Sequence, residues 1–197
     1  MASEPNKVGI FVFDEVEVLD FAGPFEVFSI AGRRDNLEPF DVYTVSERPG
    51  PILARNGLSI NPRFTFADCP PPDILVVPGG FGTRREMNKP AVVSWVRLAS
   101  AASLITFSVC TGSLILATAG LLEGLAATTH HRALDELRAV APHTRVVPGQ
   151  KVVDTGRIVT SGGISAGING ALSLVGRLMG DQYALEAAHY MEYDWIR

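Results

Sequence analysis

Leu104-Ile105-Thr106-Phe107-Ser108-Val109-Cys110-Thr111-Gly112-Ser113 is the segment around which the rest of the chain can be ordered. Residues 104–108 are apolar or small and β-prone, so they read as a buried strand that runs up to a thiol. Small residues then permit a sharp turn, and Leu114, Ile115, Leu116 and Ala117 carry the chain into a helix. A side chain at such a turn projects from the carboxyl end of a strand, beside helix N–H groups that lack intrahelical partners. Those groups favour an anion, which predicts a Cys110 thiol biased toward thiolate, its reactive form. With Ser in place of Cys, the shape would be the nucleophile elbow of a hydrolase.

Outward from this segment, residues 8–13 form a continuous apolar run suited to a strand covered on both faces. Residues 73–77 form another, stopped sharply by Pro78-Gly79-Gly80. Between them, residues 19–32 read as a helix. Phe21, Phe25, Val27, Phe28 and Ala31 make its apolar stripe, and Pro24 lies in its first turn. Residues 40–46 alternate as a strand, and Asn56-Gly57 within 51–60 predicts a hairpin excursion. Helices are predicted over 90–100, 111–122 and 131–140, with a short strand over 126–129 leading to His130. Residues 151–153 and 157–160 flank Asp154-Thr155-Gly156 as a hairpin, and helices over 165–179 and 181–190 complete the pattern. Alternating strands and helices with short links predict an α/β three-layer sandwich with a mostly parallel central sheet. No repeat, linker or low-complexity segment interrupts residues 1–197, which therefore read as a single domain.

Composition narrows the function classes. The 197 residues are 47% apolar and 19% charged, as expected of an ordered globular chain. A net charge of -4 without a basic cluster argues against nucleic acid as a partner. Cys69 and Cys110 are too few for a disulfide framework and lack CxxC spacing. Residues 98–122 carry no charge, but their Ser and Thr content and Gly112 favour a buried strand and helix over a membrane span. Residues 1–7 are short and polar, unlike a signal peptide, so a cytoplasmic protein is expected.

In open α/β sheets, sites form beyond the carboxyl ends of strands. The predicted strands lead to Asp20, to Gly79-Gly80, to Cys110-Thr111 and to His130, so a carboxyl, a glycine turn, a thiol and an imidazole can converge. Asp20 could alternatively cap its own helix. Asp14, Glu15, Glu17 and Glu26 read as solvated or capping groups, Cys69 as packing, and His143 and His189 as structural or exposed. No His/Cys/Asp/Glu cluster has metal-ligand spacing, so no metal is expected.

Leu19-Asp20-Phe21-Ala22-Gly23-Pro24, Val77-Pro78-Gly79-Gly80, Ser108 to Ser113, Ala127-Thr128-Thr129-His130 and Thr160-Ser161-Gly162-Gly163 together resemble the ThiJ/PfpI superfamily. Within it, the pattern is most similar to the isonitrile hydratases. Phe66-Ala67-Asp68-Cys69-Pro70-Pro71 and Met191-Glu192-Tyr193 strengthen that likeness. The resemblance implies the flavodoxin-like fold shared with class I glutamine amidotransferases. It implies Cys110 as nucleophile and Asp20 as a carboxyl beside it, with a pKa raised by burial so that it can act as an acid. It also implies that Thr111 orients the substrate and that the Gly79-Gly80 turn supplies an oxyanion donor, the Gly80 N–H. His130 stands where many relatives place a histidine, although no acidic residue adjoins it in sequence. The implied reaction is cofactor-free addition of water to a small, mostly hydrocarbon isonitrile through a Cys110 thioimidate, giving an N-substituted formamide.

Two other readings keep the same residues. A glyoxalase- or deglycase-like reaction on a reactive carbonyl would lean on His130 and a glutamate beside the thiol, where this chain has Asp20. A ligand or redox sensor would use Cys110 as a switch; regulator versions carry a helix-turn-helix domain after the sensor, whereas this sequence stops at Arg197. The implied partners are a small-molecule substrate and a second copy in a homodimer, without nucleic acid or membrane. Two positions depart from the hydratase pattern. His131 replaces a large aromatic, and Asn169 replaces an Asp, which removes a charge near a helix start.

Overall fold

Val8, Ile10 and Phe11, Ile74 to Val77, and Ile105 to Val109 are almost wholly removed from solvent. Strands covered by helices on both faces require this, which is why these runs are apolar without alternation. A computed structural model describes residues 4–195 and places these runs side by side at the centre of the molecule.

The strands are β1 (Asn6–Phe11), β2 (Phe40–Ser46), β3 (Ile52–Leu53), β4 (Ser59–Ile60), β5 (Phe64–Thr65), β6 (Ile74–Val77), β7 (Ile105–Val109), β8 (Ala126–Ala127), β9 (Arg145–Val146), β10 (Val152–Asp154) and β11 (Ile158–Ser161). The α-helices are α1 (Val18–Ile30), α2 (Thr83–Glu86), α3 (Pro90–Ala102), α4 (Gly112–Thr118), α5 (Leu134–Val140), α6 (Ala166–Met179) and α7 (Asp181–Tyr190). Seven strands form one sheet in the order β10-β11-β7-β6-β1-β2-β5. All its pairings are parallel except β10 with β11. Helices α1, α6 and α7 pack together on one face, and α3, α4 and α5 on the other, giving the three-layer α/β sandwich with a mostly parallel sheet.

The parallel pairings bring the carboxyl ends of β1, β6, β7 and β11 to one rim, where the first turn of α1, the Pro78–Gly80 turn, Cys110 and Ile164 therefore meet. The expected hairpin within 51–60 forms as antiparallel β3 and β4. The strand expected at 126–129 differs. Only Ala126–Ala127 is extended, and it pairs with β9 in a separate two-stranded ladder. The chain beyond it is tied to the main sheet by the Thr128 N–H donating to Thr160 Oγ1 at 2.9 Å. The helix after the elbow ends at Thr118 rather than 122. Among the described residues no helix is long and apolar enough to cross a membrane, the uncharged 98–122 run being divided among α3, β7 and α4.

Close approach of α6 to β7 depends on a missing side chain. A Cβ added at Gly170 would lie 2.4 and 2.6 Å from ring atoms of Phe107, which is fully buried and cannot swing away. Gly170→Ala gains about 1 kcal/mol of helix propensity. Overpacking costs about 1–3 kcal/mol and the contact here is severe, so the cost wins. The expected result is a lower urea-unfolding midpoint with an unchanged slope; a raised midpoint would contradict this packing.

Candidate active site

Cys110 lies directly after β7 with a φ of 57°, a left-handed backbone that a side chain at this position tolerates at a cost of roughly 1–3 kcal/mol. The surroundings enforce it. The Cys110 N–H donates to the Ser161 carbonyl at 3.2 Å and to the Gly162 carbonyl at 3.0 Å. Its own carbonyl accepts from Thr129 Oγ1 at 2.9 Å and from Ser113 Oγ at 3.2 Å. Two residues later, a Cβ at Gly112 would sit 1.9 Å from the Val77 carbonyl oxygen, so only glycine lets α4 start against the end of β6. The strand-to-helix elbow is present, with its thiol buried.

Asp20 occupies the first turn of α1 and is fully buried. It caps nothing in its own helix. Its Oδ2 accepts from the Gly79 N–H at 3.0 Å and its Oδ1 from the Ile164 N–H at 3.1 Å, so the turns after β6 and β11 hold the carboxyl. Ile164, a β-branched residue at φ 56°, is the second strained residue of the site and offers that N–H. The Cys110 thiol completes the set around Asp20.

Burial pushes the Asp20 carboxyl up to about 7, against the pull of the Gly79 N–H and the Cys110 thiol. Burial, and then the charge of Asp20, push the Cys110 thiol up to about 12. This corrects the expectation of a thiolate favoured by the helix start. The Thr111 N–H and hydroxyl do lower the thiol pKa, but desolvation and the neighbouring carboxylate outweigh them. Between about pH 7 and about pH 12 the pair carries a single proton, with S–H donating to the carboxylate.

Thr111 stands beside this pair with its hydroxyl accepting from the Gly80 N–H at 3.0 Å and lying 3.0 Å from the Thr83 hydroxyl. The Gly79 and Gly80 N–H groups are therefore already used inside the protein, one by Asp20 and the other by Thr111. That corrects the expected role of the Gly80 N–H as an open oxyanion donor. The function of the two N–H groups in this geometry is to fix the acid and the hydroxyl.

A cavity of about 180 Å³ opens above the thiol, walled by Glu17, Gly80, Phe81, Arg84, Cys110, Thr111, His130, Arg132, Ala133 and Ile164. Phe81, Ala133 and Ile164 supply the expected apolar surface, while Glu17, Arg84 and Arg132 add charges that were not anticipated. His130 reaches the cavity, and its Nδ1 accepts the Arg132 N–H at 3.2 Å. Burial lowers its pKa, with His131, Arg132 and Arg84 acting in the same direction, which favours the neutral ring, and the bond at Nδ1 puts the proton of that neutral ring on Nε2. No carboxylate hydrogen-bonds to it, so a Cys-His-Asp relay is not assembled. His131 is exposed against His130, with ring centroids 4.3 Å apart, and is not part of the cavity wall. Asn169 is buried and accepts from the Tyr193 hydroxyl at 3.0 Å, also away from the wall. Cys69 is half-buried against the hydrophobic core beside Trp95, and His143 and His189 are exposed. No cluster of His, Cys, Asp or Glu among the described residues could hold a metal ion.

The model of the DJ-1/PfpI family matches residues 6–177. The chain belongs to the DJ-1/PfpI family. It is 36% identical to an isonitrile hydratase of Pseudomonas putida over 95% of this chain and 78% of that protein. It is 31% identical to the HTH-type transcriptional regulator CdhR of Pseudomonas aeruginosa over 91% of this chain, and spans about half (53%) of that regulator. The crystal structure of a THiJ/PfpI family protein from Pseudomonas syringae superposes with a TM-score of 0.86 at 31% identity, covering 98% of this chain and 77% of that one. The family thus contains proteins named as enzymes and proteins named as regulators.

The raised Asp20 pKa carries a stability consequence with a definite sign. A carboxyl raised from 3.8 in the unfolded chain to about 7 in the fold contributes stability below pH 3.8 that is lost as pH rises through 7. Asp20→Asn removes the buried charge but turns an amide NH2 toward the Gly79 or the Ile164 N–H, so the expected signature is a trend: the melting temperature of the wild type relative to the variant falls as pH rises from 5 to 8. The same change is expected to speed alkylation of Cys110 by iodoacetamide at pH 8. A wild-type melting temperature that rises relative to the variant between pH 5 and pH 8, or slower alkylation at pH 8, would contradict this description of the pair.

Proposed function

We propose that the protein is a cysteine-dependent hydratase that converts an isonitrile, R–NC, into an N-substituted formamide. The observation that carries this reading is the Asp20 carboxyl, buried against the Cys110 thiol with its pKa raised to about 7. An isonitrile carbon must accept both a proton and a nucleophile. A thiol and a carboxyl that share one proton can deliver both to the same atom. The likeness to the Pseudomonas putida isonitrile hydratase supports the same assignment.

In the first half-reaction, the proton of the pair passes through Asp20 to the terminal carbon while Cys110 Sγ bonds to it, giving the thioimidate R–N=CH–S. Water then adds to that carbon and the nitrogen is protonated. Collapse of the tetrahedral intermediate breaks the C–S bond and releases R–NH–CHO. The Thr111 N–H and hydroxyl stabilise the departing thiolate, since both favour its charged form. The small cavity and the Phe81, Ala133 and Ile164 surfaces suit a compact hydrocarbon R group.

Formamide production from a simple alkyl isonitrile tests this reading. Cys110→Ala is expected to abolish it, and Asp20→Ala to reduce it by on the order of a hundredfold or more. Turnover of methylglyoxal but not of the isonitrile would replace the hydratase with a deglycase-like enzyme. Turnover of neither would remove the enzymatic reading in favour of a sensor.

The homodimer belongs to the same proposal. Leu19 and Phe25 of α1 and Leu53 and Leu58 of the β3–β4 hairpin remain exposed in the fold. Phe25→Glu is expected to shift the protein from dimer to monomer in light scattering. A monomeric wild type would overturn that assembly.

A further inference from the structure

Hydrolysis of a Cys110 thioimidate needs a base that meets water on the cavity side; Asp20 contacts the thiol, and through it the carbon bonded there, but does not face the cavity from which water arrives. Asp20 is fully buried, both of its oxygens are held by backbone N–H groups, and it is absent from the cavity wall. Glu17 is on that wall. It stands one helical turn before Asp20, at the N-cap of α1, yet its side chain makes no cap bond. Among the described residues its carboxylate has no hydrogen bond or ion pair. Its backbone, in contrast, is fixed: its N–H donates to the Gly79 carbonyl at 2.9 Å and its carbonyl accepts from the Asp20 N–H at 3.2 Å.

His130 supplies the complementary group. Its Nδ1 is an acceptor for the Arg132 N–H, which leaves Nε2–H as a donor in the same cavity. Arg84, on the same wall, is held by Glu136 through Nε at 3.0 Å and so does not neutralise Glu17. The Glu17 charge favours protonation of both His130 and Asp20, which places its field across the site.

We propose that Glu17 is the base of the second half-reaction, acting on a water held between its carboxylate and His130 Nε2–H. The inference rests on the hydratase reading. Glu17 takes one proton from the water as the water oxygen bonds to the thioimidate carbon. The C=N electron pair moves to nitrogen, which receives that proton from Glu17. In the resulting R–NH–CH(OH)–S adduct, the hydroxyl proton returns to Glu17 as C=O forms and C–S breaks. It then passes to the Cys110–Asp20 pair, so thiol and carboxylates end as they began.

The test compares wild type, Glu17→Gln and Glu17→Asp with an alkyl isonitrile, reading formamide release and the intact mass of the protein. In Glu17→Gln, formamide release is expected to fall by on the order of a hundredfold. Meanwhile Cys110 accumulates a stable adduct equal to the mass of one isonitrile. Glu17→Asp, which keeps a carboxylate, is expected to recover part of the release. Unchanged iodoacetamide alkylation of Cys110 in both variants shows that the fold and thiol are intact. Wild-type turnover by Glu17→Gln, or slow turnover without the adduct, overturns the role of Glu17 and leaves the hydratase standing. Absence of both formamide and adduct in the wild type overturns the hydratase and this inference with it.

Discussion

The start of α4 against the end of β6 is the contact on which the site depends. The Val77 carbonyl oxygen occupies the space that a Cβ at position 112 would need. Helix and strand can meet there only through glycine, and the chain must turn sharply before it, which forces Cys110 into a left-handed conformation. Hydrogen bonds from β11 and from Thr129 fix that conformation on both sides of the peptide. The thiol is thereby held at the sheet rim where the turns after β1, β6 and β11 present Asp20, the glycine N–H groups and Ile164.

The same enclosure sets the chemistry. A thiol at an exposed helix start would ionise easily, but this one is buried beside a carboxyl that is itself buried. Each ionised form is costly, so the two groups retain a proton between them over the neutral and alkaline range. A thiol kept protonated in this way is a poor peroxide sensor, because oxidation proceeds through thiolate. It suits a reaction in which nucleophile and proton must reach one carbon together. At Asp20 the proposed proton donor is also a buried carboxyl whose hydrogen bonds from Gly79, Ile164 and Cys110 do not offset its desolvation, so the proposed function would be opposed to stability there.

Much of this architecture was legible in the sequence because buried apolar runs and the alternation of residues 40–46 leave a clear signature. Phe40–Ser46 matches its predicted bounds, and β1, β6 and β7 lie within a residue or two of theirs. Two-residue strands β5 and β9 were not legible, since they exist only through pairing with Val45–Ser46 and Ala126–Ala127. The four-residue helix α2 shows no period at that length. Asp20, Cys110, Thr111 and His130 do converge as the strand ends indicated. The cavity walls were missed, because Phe81, Arg84, Arg132, Ala133 and Ile164 come from unrelated turns and loops. The direction of the Cys110 shift was also missed. Proximity to a helix start can be read from sequence, but the depth of burial that outweighs it cannot.

The shared proton is the centre of the account, and carbon-13 NMR of the Asp20 carboxyl reads it without reference to any substrate. Titrated from pH 4 to pH 10, the Asp20 side-chain carboxyl resonance is expected to move with a midpoint near 7. A midpoint near 4, the ordinary carboxylate range, would mean that Asp20 is ionised independently of Cys110 and would contradict the account.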